Sequence, residues 1–300
     1  MIKNSAELTP VQIWLMAIRP KTLPAAASPV ILGSALALRD GQFQFGPALA
    51  TLLCALLLQI GANLANDVFD YHRGADASGR LGPIRVTQAG LLEPAQVIRG
   101  MWIVFVTASL IGIYLTLMAS WPVLLMGLFA ILAAISYTGG PFPLGYYGLG
   151  DLFVFIFFGP VALCGTYFIQ AGEITWDAIL ISLPMGFLIV DILVVNNLRD
   201  IETDRLAGKQ TLAVRLGVKG TRIEYLLCLI AAFLVPLGMW WKGMLSAWVL
   251  LVFLTLPICF QLLHSVWRDR GKPLNLALAK SGQLALLFSV LFSIGLLIPV

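Results

Sequence analysis

The chain has 300 residues, of which 59% are hydrophobic and only 11% charged, with a formal net charge of +4. Soluble domains carry about 25% charged residues, so these values, with a mean hydropathy of +0.92, exclude a soluble globular domain and point to an all-α integral membrane protein. A net charge of this size says little by itself, because in membrane proteins the placement of Lys and Arg matters more; no nucleic-acid partner is expected.

Segment 1–10 is polar, and the first apolar run follows Arg19, Pro20 and Lys21 without a cleavage-type end, so no signal peptide is expected. Apolar runs long enough to cross a core of about 30 Å occur at 23–39, 47–65, 101–119, 121–138, 151–171, 177–195, 223–241, 246–263 and 282–300, which predicts nine transmembrane helices. With the N-terminus cytoplasmic, seventeen of the nineteen Lys and Arg fall on the cytoplasmic side, and only Arg39 and Lys242 lie outside. Such loops attract basic residues, so the C-terminus is expected outside and every long polar loop at one face. The longest polar stretch is about 35 residues, which predicts one transmembrane domain over 1–300. Cys54, Cys164, Cys228 and Cys259 all lie within apolar runs and are read as inert thiols.

The second and sixth runs end alike. Stretch 61–90 reads GANLANDVFDYHRGADASGRLGPIRVTQAG, and stretch 194–217 reads VVNNLRDIETDRLAGKQTLAVRLG. Asn66 and Asp70 are four residues apart, as are Asp200 and Asp204, and on a helix such pairs share a face. Each stretch can therefore offer oxygen ligands as a stripe at the mouth of an apolar helix. Two stripes facing each other would hold divalent cations, and the adjacent bases would hold phosphates. Asn63, Asp67 and Asp76 accompany the first stripe, and Asn196, Asn197 and Arg199 the second. Carboxylates near the bilayer are costly and mark function by default. Mg²⁺ suits such a site, because it takes oxygen ligands and shares them with substrate phosphates and water. Arg73, Arg85, Arg199 and Lys209, interleaved with the acids, either bind phosphate or only fix topology. The matching motifs lie four helices apart, which suggests two parallel four-helix repeats plus a ninth helix.

Three further features stand out. Asp191 lies within the sixth run and either orients a substrate or pairs with a neighbouring Asn or Arg. Tyr137 ends the fourth run and either turns its ring face toward a cationic centre or belongs to the interfacial aromatic belt. The loop GGPFPLGYYGLG after it, 139–150, lacks Lys and Arg and is expected to fold back over a pocket, with Asp151 as a helix N-cap. A lone His72 near the acids argues against zinc.

These motifs resemble the UbiA superfamily of intramembrane aromatic prenyltransferases over nearly the whole chain. RPKTLP at 19–24, NLAND at 63–67, GPIRVTQ at 82–88, NNLRD at 196–200 and KQTLAVRLG at 209–217 look like its menaquinone branch. Where the family often has a third Asp, this chain has Gly74, and Asp76 is the candidate replacement. The resemblance implies a UbiA-like fold in the bacterial cytoplasmic membrane. It implies transfer of a polyprenyl group from polyprenyl diphosphate to 1,4-dihydroxy-2-naphthoate, with loss of CO₂ and diphosphate. On this reading Asn66, Asp67, Asp70, Asp200 and Asp204 bind Mg²⁺, and Tyr137 faces an allylic cation. Another aromatic acceptor, such as 4-hydroxybenzoate, is the alternative enzyme reading. A secondary transporter of an anionic metabolite is the non-enzyme one, although transport sites lie near the bilayer midplane.

Overall fold

A computed structural model describes residues 8–74 and 81–299. Every regular element among them is helical. In chain order these are α1 (Pro10–Ile18), α2 (Leu23–Arg39), α3 (Phe45–His72), α4 (Pro94–Met118), α5 (Pro122–Ser136), α6 (Gly150–Ile156), α7 (Ala162–Ala171), α8 (Trp176–Leu206), α9 (Leu212–Trp241), α10 (Leu256–Arg268) and α11 (Leu274–Leu297). A π-helical turn, Phe157–Val161, joins α6 to α7, and a 3₁₀ segment, Ala247–Thr255, leads into α10. Eight of the resulting rods are long and apolar enough to cross a bilayer. The ninth expected span is the shorter α5, with 15 residues.

The two motif-bearing helices are longer than a bilayer core requires. α3 has 28 residues and α8 has 31, or about 42 and 46 Å at 1.5 Å per residue. The apolar stretch alone sets the bilayer crossing, so the additional turns carry the acids beyond the hydrocarbon while keeping them helical. Asn66 with Asp70, and Asp200 with Asp204, therefore do lie on helix as their spacing requires.

α1 is an element that the apolar runs did not reveal. It is capped by Thr9, whose hydroxyl accepts from Gln12 N at 3.3 Å. It stops at Arg19, a non-glycine residue at φ 54. Pro20 follows, and a residue before proline is pushed out of the right-handed helical region. The break turns the chain so that α1 packs beside α3 while α2 enters the bundle. Asp151 is not an N-cap: α6 starts one residue earlier, at Gly150, and Asp151 sits in its first turn, where a carboxylate favours the helix dipole.

The larger core gathers α2, α8, α9 and α11 around buried Leu32, Met185, Tyr225 and Phe288. A second core joins α1, α3 and α4 around Leu64, Val68, Met101 and Phe105. α3 packs along α4, and α8 along α9, so the same pairing recurs in the two halves. At the end of the bundle away from the motifs, Arg39 holds Asp40 at 2.7 Å and Asp177 at 2.9 Å, while Tyr167 donates to Asp40 at 2.7 Å. Arg39 thus ties α2 to α8. All four cysteines are free, Cys164 and Cys259 buried and the others half-buried.

Close approach of α11 to the 3₁₀ segment depends on Gly295. A Cβ there would stand 2.4 Å from the Trp248 carbonyl oxygen and 2.6 Å from Val249 Cα, backbone atoms that no rotamer change can move. Gly295→Ala is expected to destabilise the protein by about 1–3 kcal/mol, as overpacking does. Thermal unfolding in detergent checks this, and an unchanged midpoint would contradict the packing described.

Candidate active site

The ends of α3 and α8 open onto one cavity of about 590 Å³. Its mouth is lined by Asn66, Asp70, Arg85, Asn196, Asn197, Asp200, Asp204 and Lys209. Below them the wall becomes apolar and small, with Ala25, Ala26, Ala130, Ala134 and Gly165, and the cavity reaches Leu115, Val123 and Ile169 at the far side of the bundle. Gly112 of α4 and Gly127 of α5 also line it, and a side chain at either would meet open space.

Asp70 is the centre of the mouth. Its side chain is 2% exposed, and a carboxylate that stays charged when buried must be paired. Arg85, itself 7% exposed, donates to Asp70 Oδ2 and to the Asn66 carbonyl oxygen. Tyr146 OH donates to Asp70 Oδ1 at 2.7 Å, and Lys209 Nζ stands 3.4 Å from the same oxygen. Lys209 also lies 3.9 Å from Asp204, so one ammonium joins the motif on α3 to the motif on α8. Burial, and then the neighbouring Asp70 carboxylate, push the Tyr146 phenol well above its ordinary pKa. It therefore stays protonated and can only donate to that acid.

Asp200 is held differently. Arg199 grips it bidentately, Nε to Oδ1 at 2.8 Å and Nη2 to Oδ2 at 2.5 Å. The same guanidinium donates to Asn196 Oδ1 and to Asn275 Oδ1 of α11, each at 2.7 Å. Asn275 in turn donates to the Leu81 carbonyl oxygen at 2.9 Å. Arg199 is thus buried and committed to orienting Asp200; it is absent from the cavity wall, so the phosphate-binding alternative does not fit it.

Four other expectations change. Asp67, 1% exposed, accepts from the backbone N–H groups of Val86 and Thr87 at 3.2 and 3.1 Å and lies behind the wall. It anchors the loop carrying Arg85 and is not placed to meet a metal in the cavity. Asn63 donates to the Ile18 carbonyl at 2.8 Å and to Thr22 Oγ1 at 3.0 Å, fastening α3 to the α1–α2 corner. Asp191 is buried on the α9 side of α8, outside the cavity lining, with Glu224 as its charged neighbour; neither of its carboxylate oxygens has a hydrogen-bond partner. It does not meet a substrate in this cavity. Arg73 donates to the Gly140 carbonyl oxygen and lies 5.4 Å from the Tyr146 ring, also off the wall. Asp76 falls outside the described residues.

Tyr137 does line the cavity, and Gly145 and Gly150 pack against its ring. The loop 139–149 folds back over the mouth, as its lack of charge suggested. Thr138 Oγ1 donates to Asn66 Oδ1 at 2.9 Å. Tyr146, Thr138 and Asn275 are residues that motif reasoning missed; the loop's aromatic, uncharged composition was the signal for Tyr146.

Among the described residues no three His, Cys, Asp or Glu side chains converge into a ready-made metal cage. The donors at the mouth are hard oxygens on two facing helices. This fits Mg²⁺, which takes one or two carboxylates and completes its shell with water and substrate phosphates.

Residues 26–295 match the UbiA prenyltransferase family. The chain belongs to that family. Among UbiA-family relatives it is similar to 1,4-dihydroxy-2-naphthoate octaprenyltransferase of Escherichia coli K12, at 38% identity over 97% of this chain and 96% of that one. The enzyme of the same name from Haemophilus influenzae is also 38% identical, over 96% of both chains. In fold it is similar to a UbiA homolog from Archaeoglobus fulgidus bound to GPP and Mg²⁺, with TM-score 0.69 and 15% identity over 95% of this chain and 99% of that one. A UbiA homolog from Aeropyrum pernix K1 gives TM-score 0.67 at 18% identity, over 90% and 96% of the two chains.

Asp67→Asn separates anchoring from metal binding. Loss of the charge facing two buried N–H groups should lower stability by about 1–3 kcal/mol and leave the Mg²⁺ concentration for half-maximal activity unchanged. A large rise in that concentration, measured in folded protein, would return Asp67 to the ligand set.

Proposed function

We propose that this protein transfers a polyprenyl group from polyprenyl diphosphate to 1,4-dihydroxy-2-naphthoate. CO₂ and diphosphate leave, and the product is demethylmenaquinone, first as its quinol. The observation that carries the reading is the pairing of Lys209 with both Asp70 and Asp204, which brings two acidic stripes together above an apolar cavity. An anionic head and an isoprenoid tail are the ligand that such a site fits. Full-length likeness to enzymes named for this reaction supports the acceptor.

Asn66, Asp70, Asp200 and Asp204 would hold Mg²⁺. The metal supplies Lewis-acid stabilisation of the departing diphosphate. Lys209 and Arg85 add positive charge where the leaving group gathers negative charge. The C1–O bond of the prenyl chain breaks with its electron pair going to diphosphate. The ring carbon bearing the carboxylate attacks C1, and loss of CO₂ returns its bonding pair to the ring, so no enzyme base is needed. Tyr137, Phe153 and Phe157, all on the cavity wall, turn aromatic surface toward the cationic carbon. The small apolar lining below them keeps water away from it. The distribution of Lys and Arg supports a cytoplasmic N-terminus and cytoplasmic motif loops, in a bacterial cytoplasmic membrane.

In nanodiscs, naphthoate and a polyprenyl diphosphate should give prenylated product with CO₂, while 4-hydroxybenzoate is left unchanged. EDTA should stop turnover and Mg²⁺ restore it. Asp70→Asn and Asp200→Asn should each lower kcat at least about 100-fold, the scale set by removing a single electrostatic group from a transition state. Turnover surviving thorough chelation, or prenylation of hydroxybenzoate alone, would overturn the proposal.

A further inference from the structure

Tyr146 touches three charged groups from two motifs, and no motif contains it. Its hydroxyl donates to Asp70 Oδ1 at 2.7 Å. Its ring lies 4.6 Å from Lys209 Nζ and 5.4 Å from Arg73 Cζ, within the range of a cation–π contact. The loop that carries it is fastened on both sides. Gly145 N donates to the Tyr137 carbonyl at 2.9 Å, Gln210 N to the Tyr146 carbonyl at 2.8 Å, and Arg215 to the Tyr147 carbonyl at 2.8 Å. Gly148, at φ +74, lets the loop approach Gln210, whose carbonyl oxygen would stand 2.9 Å from an added Cβ. The phenol is therefore delivered to one place by backbone contacts that do not depend on Asp70.

We infer that Tyr146 is a positioning residue: its O–H fixes the plane of the Asp70 carboxylate for metal binding, and its ring holds Lys209 over the diphosphate site. With Arg85 on Oδ2 and Tyr146 on Oδ1, both oxygens of Asp70 are oriented by the protein itself. Groups that orient a metal ligand in this way typically contribute 10–100-fold in affinity or activity. The inference rests on the Mg²⁺–diphosphate reading of the site and adds to it a residue outside the Asp motifs.

The test uses purified full-length protein, Mn²⁺ as the metal and inorganic pyrophosphate as the ligand, with binding followed by calorimetry and by the Mn²⁺ electron spin resonance signal. Tyr146→Phe keeps the ring and removes the O–H. It should weaken Mn²⁺ binding in the presence of pyrophosphate about 10-fold or more, leave the KM for naphthoate unchanged, and leave pyrophosphate affinity without metal unchanged. Tyr146→Leu should weaken metal-free pyrophosphate binding as well, because Lys209 loses its aromatic support. In an Asp70→Asn background, Tyr146→Phe should cause no further loss of Mn²⁺ affinity; a full additive loss would overturn the inference. Wild-type binding of Mn²⁺ with pyrophosphate, matched by Tyr146→Phe, would overturn the role of Tyr146 alone. Failure of the wild type to bind them would overturn the functional reading and this inference with it.

Discussion

A carboxylate that is 2% exposed at the edge of a membrane has to be neutralised, and the mouth of this bundle is built around doing that for Asp70. Arg85 comes from the loop after α3, Lys209 from the loop after α8, and Tyr146 from the loop after α5. Three otherwise separate connections are drawn to one acid. Removing one partner from a buried ion pair costs about 3–5 kcal/mol, so the same contacts that define the site also hold these loops against the helices. Supporting residues follow from this. Asp67 fixes the loop that brings Arg85, and Asn275 and Asn196 fix the guanidinium that orients Asp200.

The acids are also where they are because helix length and apolar length differ. α3 and α8 continue about 12 to 16 Å beyond a 30 Å core, so one face of each can carry oxygen donors without placing them in hydrocarbon. A helix that ended with its apolar run would leave the donors on loops, where their mutual geometry would not be set. The acids at the mouth are matched by Arg and Lys, as Asp70 is by Arg85 and Lys209 and Asp200 by Arg199.

Much of this was legible in the residues. Apolar run lengths located the spans, and the four-residue spacing of Asn66 with Asp70 and of Asp200 with Asp204 correctly placed each pair on one helix face above a common cavity. What spacing alone could not separate was which neighbours face that cavity. Asp67 is one residue from Asn66 and therefore about 100° around the helix, which turns it toward the backbone of Val86 and Thr87. Asp191 and Arg199 are likewise on helix faces that packing, not sequence, assigns to α9 and to α11. α1 escaped notice because it is short and half-exposed, and because Arg19 and Pro20 read as a flank when they are a corner. Tyr146 and Asn275 lie in no motif, and only the fold brings them to the acids.

The glycines at 112 and 127 carry a consequence for traffic. They leave the cavity wall without a side chain at one point on α4 and one on α5, on the side of the bundle where α5, at 15 residues, is itself the shortest of the described spans. On the proposed function, an isoprenoid would slide in there from the surrounding lipid leaflet with its head toward the acids, and would depart the same way once the head is exchanged for a ring. On that reading encounter takes place in two dimensions, and the abundance that governs turnover is the mole fraction of isoprenoid within the bilayer.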